Sequence, residues 1–365
     1  MKKFLFVFIT MLFIFNLLVG QQPEKKLVRI AIAGLSHSHV IPLLSNYKTQ
    51  DFELVGIFES NNEMAQRYAD KYKIDKSIIF NTLEEMLDKT KPDGVITFTS
   101  IFDHLKVVEA CAPRGIDVMV EKPLAVSTKH ASIMSKLVEK YKIKLLTNYE
   151  TTWYSSNAKS YEMISQDKIG ELRKIIVYDG HKGPKEIGVN KEFLDWLADP
   201  VQNGGGAVID FGCYGADLIT WIMKGQKPEY VYAVLKRYKP DVYPNVDDDA
   251  TIVLSYPSME CVINASWNWP FNRKDMHIYG TKGYIFSDDP TTVRYRLSER
   301  GKEEVEKIPV LEAPYKNAFT FFSAAIRGDI VIKETDLSSL EINKTVVEIL
   351  EAAKKSSKTG KRVKL

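Results

Sequence analysis

The sequence predicts an α/β protein in two parts: a doubly wound parallel sheet over residues 27–148, then an α+β domain over 149–365. Three observations carry this. Short buried-strand runs alternate with helical stretches through the first half, the pattern of βα units. The first run ends at Gly34, which suits the tight turn from strand to helix. The runs 172–177, 230–235, 251–256, 261–267 and 276–279 all read as strands of a second sheet.

Val28–Ala33 is the first strand, followed by a helical stretch from His39 to Tyr47 with Pro42 in its first turn. Phe52–Phe58 is the second strand, and Asn61–Tyr72 a helix capped by Ser60 or Asn61. The alternation continues with 78–80, 82–89, 94–98, 103–114, 117–120, 128–141 and 144–146. A chain of 365 residues has ample material for two cores. Its 45% hydrophobic and 27% charged content is that of a water-soluble protein, and a net charge of +3 without a basic stripe argues against nucleic acid. Cys111, Cys213 and Cys261 are scattered and odd in number, so neither a disulfide framework nor a metal-ligand spacing is expected.

The N-terminus differs from the rest. Lys2 and Lys3 precede an apolar run from Phe4 to Ile14, which reads as an export signal over residues 1–20, with an uncleaved anchor as the alternative. Membrane contact is expected only there, and the protein is expected outside the cytoplasm, periplasmic or secreted.

Two stretches carry chemistry. Gly34-Leu35-Ser36-His37-Ser38-His39 lies where a dinucleotide fingerprint falls but departs from G-x-G-x-x-G, with Ser36 and His39 at the later glycine positions. Ser36, His37 and His39 either meet phosphate at the helix N-terminus or merely cap that helix. Glu59 closes the second strand, 25 residues after Gly34, where a carboxylate accepts ribose hydroxyls and repels a 2′-phosphate; NAD is therefore expected ahead of NADP. The second stretch is Glu121-Lys122-Pro123. Lys122 ends the fifth strand, where open sheets place ligands, and Pro123 biases it to an extended backbone.

With these landmarks the chain resembles the Gfo/Idh/MocA family, the glucose-fructose oxidoreductase and inositol dehydrogenase group. The resemblance rests on Glu121-Lys122-Pro123-Leu124-Ala125, the run Gly204 to Gly212, Thr99-Ser100 followed by His104, Gly280-Thr281-Lys282-Gly283, and the closing Leu340 to Val363. It implies a large open, mostly antiparallel second sheet, often a homo-oligomer interface, and a nicotinamide cofactor contacted by Thr99, His104, Glu121 and Lys122. It also implies that Lys122, Asp210 and Tyr214 are catalytic, with Tyr214 standing where most relatives have histidine. The spacing of Asp210, Tyr214 and Asp217 places all three on one helix face. A phenol has an ordinary pKa near 10, so as a base Tyr214 needs a neighbouring cation; Lys122 and an oxidised nicotinamide are the candidates. Tyr149, Trp153 and His181 are candidate substrate contacts. Trp153, Tyr154, Trp267, Asn268 and Trp269 are either sugar-stacking walls or ordinary core.

The resulting expectation is hydride transfer between a nicotinamide and a carbinol of a sugar or polyol derivative. Export favours a second class, a redox-neutral enzyme holding its cofactor through the cycle: sugar–sugar oxidoreduction, epimerisation, or glycoside cleavage by oxidation and elimination. A third reading is a non-catalytic nucleotide- or sugar-binding relative.

Overall fold

A computed structural model describes residues 27–365; the expected export signal lies outside the described residues. The first half contains β1 (Val28–Ala33), α1 (Val40–Asn46), β2 (Phe52–Phe58), α2 (Asn62–Tyr72), β3 (Ile79–Phe80), α3 (Leu83–Thr90), β4 (Gly94–Thr97), α4 (His104–Cys111), β5 (Asp117–Glu121), α5 (Thr128–Tyr141) and β6 (Leu145–Asn148). All six strands are parallel, in the order β3-β2-β1-β4-β5-β6. The order of the strands reverses between β1 and β4, which places a crevice at their carboxyl ends. Capping follows the sequence: Asn61 accepts the Met64 amide, Thr82 the Glu85 amide and Ser127 the His130 amide, each satisfying an orphan donor of the first turn.

The second half contains α6 (Ser155–Ser165), β7 (Leu172–Gly180), α7 (Lys191–Leu197), α8 (Ala207–Asp210), α9 (Gly212–Ile222), β8 (Tyr230–Lys236), β9 (Asp249–Ser255), β10 (Glu260–Ser266), β11 (Arg273–Gly280), β12 (Tyr284–Ser287), β13 (Thr292–Arg296), β14 (Glu304–Lys307), α10 (Ala318–Arg327), α11 (Leu340–Thr359) and β15 (Val363–Lys364). Its nine strands run β14-β13-β12-β11-β7-β10-β9-β8-β15, antiparallel except for the β7–β10 pair. Period-two burial along β9 and β10 gives the sheet one covered face. α9 lies directly on that face: a Cβ on Gly215 would stand 2.6 Å from Ile263 Cγ2.

Two expectations are corrected. The spacing-based helix face for Asp210, Tyr214 and Asp217 is broken at Phe211, because Asp210 ends the short α8 while the other two lie on α9. The division at residue 148 marks the end of the parallel sheet, yet α10 returns to it. Ala318, Phe321, Phe322 and Ala325 pack with Ile30, Ile32 and Ile96 in one core, and Phe322 would abut a Cβ on Gly94 at 2.9 Å. The C-terminal half thus supplies part of the cover that a parallel sheet needs on both faces.

Candidate active site

Lys122 follows β5 directly, and its side chain crosses to the second domain. Its Nζ donates to the Asp210 main-chain oxygen at 2.8 Å and forms an ion pair with Asp210 Oδ1. Asp210 Oδ2 accepts the Trp267 indole N–H at 2.9 Å. Burial alone would raise the Asp210 carboxyl and lower the Lys122 ammonium, but their attraction wins, holding Asp210 below and Lys122 above its ordinary range. Both are therefore charged at neutral pH. Asp210 is aimed by the triple-glycine turn, which Asp247 clamps: its carboxylate accepts the Gly206 and Val208 amides at 2.9 and 2.7 Å.

The pair opens on a cavity of about 490 Å³ lined by His37, His39, Glu150, Tyr154, His181, Tyr214 and Lys274 among others. Tyr214 is almost wholly buried and carries Lys274 Nζ 4.6 Å and Lys122 Nζ 5.1 Å from its ring centroid. Burial pushes the phenol well above its ordinary pKa, with Glu150 adding to the rise. The sequence expectation that neighbouring cations lower it does not hold in the protein alone, because both lysines are already matched by carboxylates, Asp210 and Glu150. His181 stays largely neutral: burial lowers its pKa, and its Nδ1 accepts the Gly183 amide at 2.9 Å.

The fingerprint turn lies alongside. Gly34 has φ +82°, and a Cβ there would stand 2.6 Å from Thr99 Cγ2, so the position demands glycine. Gly34, Ser36, Glu59 and Thr99 line a second cavity of about 240 Å³. Glu59 accepts the Leu35 and Asn61 amides, both at 2.8 Å, while burial raises its pKa. Ser36 is less free than expected: its hydroxyl donates to the Phe98 carbonyl and accepts the Trp196 indole N–H at 3.1 Å. His37 is buried beneath Phe193 and Trp196, and burial holds it neutral. Phe193 lines the larger cavity and Trp196 the smaller. The residues would fit a dinucleotide, with the Glu59 carboxylate in one cavity, the charged pair in the other, and α7 between them.

Several expected contacts fall elsewhere. His104 is fully buried, its Nδ1 3.2 Å from the Leu124 carbonyl and its pKa lowered by burial to about 4; it braces the loop after Lys122 and lines neither cavity. Tyr149 packs edge-on behind Tyr214 with its hydroxyl unpartnered. Trp153 packs at a tilt against Phe321 in a separate apolar cleft. Trp267 is core, and its value is the bond to Asp210. Asp217 is buried, and neither of its carboxylate oxygens has a hydrogen-bond partner. Sequence reasoning missed Lys274, Glu150, Phe193 and Trp196. The two aromatics lie 11 and 8 residues before the first residue of the triple glycine, Gly204, and nothing in their spacing distinguishes them from core.

A charged lysine–aspartate pair beside a nucleotide-type glycine turn, at the carboxyl edge of a 3-2-1-4-5-6 parallel sheet, defines a Rossmann-fold oxidoreductase. Residues 28–149 match the oxidoreductase family with NAD-binding Rossmann fold, and residues 158–286 match the GFO/IDH/MocA C-terminal domain. The chain belongs to the Gfo/Idh/MocA family of oxidoreductases. It is 24% identical over 333 residues to trans-1,2-dihydrobenzene-1,2-diol dehydrogenase of Xenopus tropicalis, covering 89% of this chain and 96% of that one. Among solved structures it superposes on an inositol dehydrogenase homolog from Azotobacter vinelandii complexed with NAD+, with TM-score 0.81, 15% identity and coverage of 94% and 99%. It also superposes on aldose-aldose oxidoreductase from Caulobacter crescentus complexed with glycerol, with TM-score 0.78, 20% identity and coverage of 93% and 100%.

Proposed function

We propose that the protein transfers hydride between a carbinol carbon of a sugar or polyol derivative and a bound nicotinamide dinucleotide, NAD in preference to NADP. One observation carries the reading: the buried Lys122–Asp210 pair opens on a cavity that also reaches the fingerprint turn and Tyr214. The cofactor, when bound, supplies the hydride acceptor. Lys122 holds the substrate oxygen and stabilises charge developing on it, in a site where burial strengthens the interaction. Asp210 keeps Lys122 charged and aimed. Tyr214, a neutral phenol as the cavity stands, donates to the carbonyl oxygen in reduction; in oxidation it takes the hydroxyl proton only once further positive charge enters the cavity. Glu150, Lys274, Asp275 and Asp289 add polar groups for hydroxyl recognition. The preference for NAD rests on the Glu59 carboxylate in the smaller cavity, which Lys106 also lines.

The test is titration of the purified protein with NAD and NADP by nicotinamide fluorescence, followed by a sugar, polyol and glycoside panel read by nicotinamide absorbance. Binding of neither nucleotide removes the proposal. Full turnover by Lys122→Ala and Tyr214→Phe would refute the residue roles.

A second reading, a redox-neutral cycle on a retained cofactor, is favoured by α7, whose Phe193 and Trp196 cover the turn on which the cofactor would lie. Nucleotide co-purifying with the protein supports it. The apolar run after Lys2 and Lys3 supports export, checked by N-terminal mass spectrometry of the protein recovered outside the cytoplasm. Exposed Tyr232 and Val234 on β8 support a homo-oligomer, checked by light scattering.

A further inference from the structure

His37, His39 and Glu121 offer ligand atoms within 4.8 Å of one another, which suggests a metal centre at first sight. The hydrogen bonds argue otherwise. His37 Nδ1 accepts the His39 backbone N–H at 3.1 Å, so its other nitrogen, Nε2, carries the proton and has no lone pair to give. Lys122, the next residue after Glu121, adds a positive charge that disfavours a further cation.

What the cluster forms instead is a carboxylate–imidazole couple. Glu121 ends β5 and is buried to 1% exposure. Burial pushes its carboxyl up, but His39 and Asn148 outweigh that, and the net shift is downward. An ionised carboxylate only accepts, so His39 Nδ1 donates to Glu121 Oε2 at 2.9 Å. Glu121 Oε1 accepts Asn148 Nδ2 at 2.8 Å, and Asn148 Oδ1 accepts the Trp153 indole N–H at 3.0 Å. Trp153, which misses the cavity, thus anchors a chain of donors ending at His39. The chain fixes the His39 tautomer and leaves Nε2 with a free lone pair on a half-buried ring that lines the same cavity as Lys122 and Tyr214. Such an arrangement is that of an oriented general base. Hydride transfer needs only one proton-transfer group, and Tyr214 fills that role.

We propose that His39, positioned by Glu121, is a second acid–base residue that removes a proton from the carbon next to the oxidised centre. This rests on the hydride-transfer reading and names the redox-neutral class within it. A carbonyl formed in the cavity acidifies the neighbouring C–H. His39 Nε2 takes that proton: the C–H bond breaks, an N–H bond forms, and the electron pair moves to the carbonyl oxygen, an enolate oxygen facing the Lys122 ammonium. Proton return to the same carbon closes an exchange or epimerisation, and departure of a group one carbon further, with its bonding electron pair, gives elimination.

The test bypasses hydride transfer by supplying a ketone directly. Methyl 3-keto-α-D-glucopyranoside, and the keto form of any glycoside that turns over in the panel above, is incubated with the full-length protein in D₂O and followed by proton NMR. Loss of the signal beside the carbonyl faster than in buffer is expected, slowed by roughly 10²–10⁴-fold in His39→Asn. Nitrogen-15 shifts of His39 report one dominant tautomer in the wild type and a mixture in Glu121→Gln, a change that simple loss of packing does not produce. Wild-type exchange at the buffer rate, or equal exchange in His39→Asn, overturns the proposal. Binding of neither NAD nor NADP overturns the hydride reading instead, so the two failures are read separately.

Discussion

Removing the Asp210 carboxylate tests the site at its most constrained point. Lys122 and Asp210 side chains are 5% and 7% exposed, so water screens neither. In Asp210→Ala the ammonium keeps only the main-chain oxygen at 2.8 Å, and the Trp267 indole loses its acceptor. Breaking a buried ion pair costs about 3–5 kcal/mol; at ~2–4 °C per kcal/mol for domains of this size, the melting temperature falls by roughly 6–20 °C. Asp210→Asn retains an acceptor for Trp267 and should cost less. The double variant Lys122→Met/Asp210→Asn should recover much of the loss, because no unpaired charge remains. The pH signature follows from the shifts. Asp210, depressed on folding, contributes stability above its unfolded pKa near 3.9 that is lost as pH falls through its lower folded value. Lys122, raised on folding, contributes stability below its unfolded pKa near 10.4 that is lost as pH rises through its higher folded value. The pair's contribution should therefore be flat between about pH 5 and 9. The assay is thermal and urea unfolding of the four proteins across pH 3–10. A single-variant loss under ~1 kcal/mol, the range of exposed pairs, would refute the claim that Lys122 is locked by burial.

Three further outcomes are expected. Trp196→Ala frees the Ser36 hydroxyl and uncovers His37, so release of bound nicotinamide nucleotide, measured by stopped-flow fluorescence, should quicken. Gly34→Ala places a Cβ 2.6 Å from Thr99 Cγ2 at φ +82°, costing about 1–3 kcal/mol and weakening nucleotide binding, read by melting and titration. Burial raises the Asp247 carboxyl to about 6; a pKa raised on folding means stability is lost as pH climbs from its unfolded value near 3.9 through 6, so Asp247→Asn should show a flatter melting profile over that window.

Much of the fold was legible in local pattern. The six parallel strands fall where hydrophobic runs and turn residues put them, because a strand covered on both faces writes itself as a continuous apolar run. The edge of the second sheet was less visible: β12 to β15 are short, and only the turn at residues 280–283 announced them. Gly34, Glu59, Lys122 and Asp210 were also readable, since each sits at a strand or helix end whose place in the fold is set by element order.

By itself the sequence determined the architecture, the family resemblance and the presence of a lysine and an aspartate at matching ends of two domains. Only the tertiary structure decided what each side chain faces. It turned Trp153 away from the cavity, buried His104 against the Leu124 carbonyl, broke the helix between Asp210 and Tyr214, and set His39 against Glu121. The physical reason is that hydrophobic period fixes which side of an element is buried, whereas the partner of a buried polar group comes from a chain segment tens of residues away, 82 for His39 and Glu121 and 88 for Lys122 and Asp210.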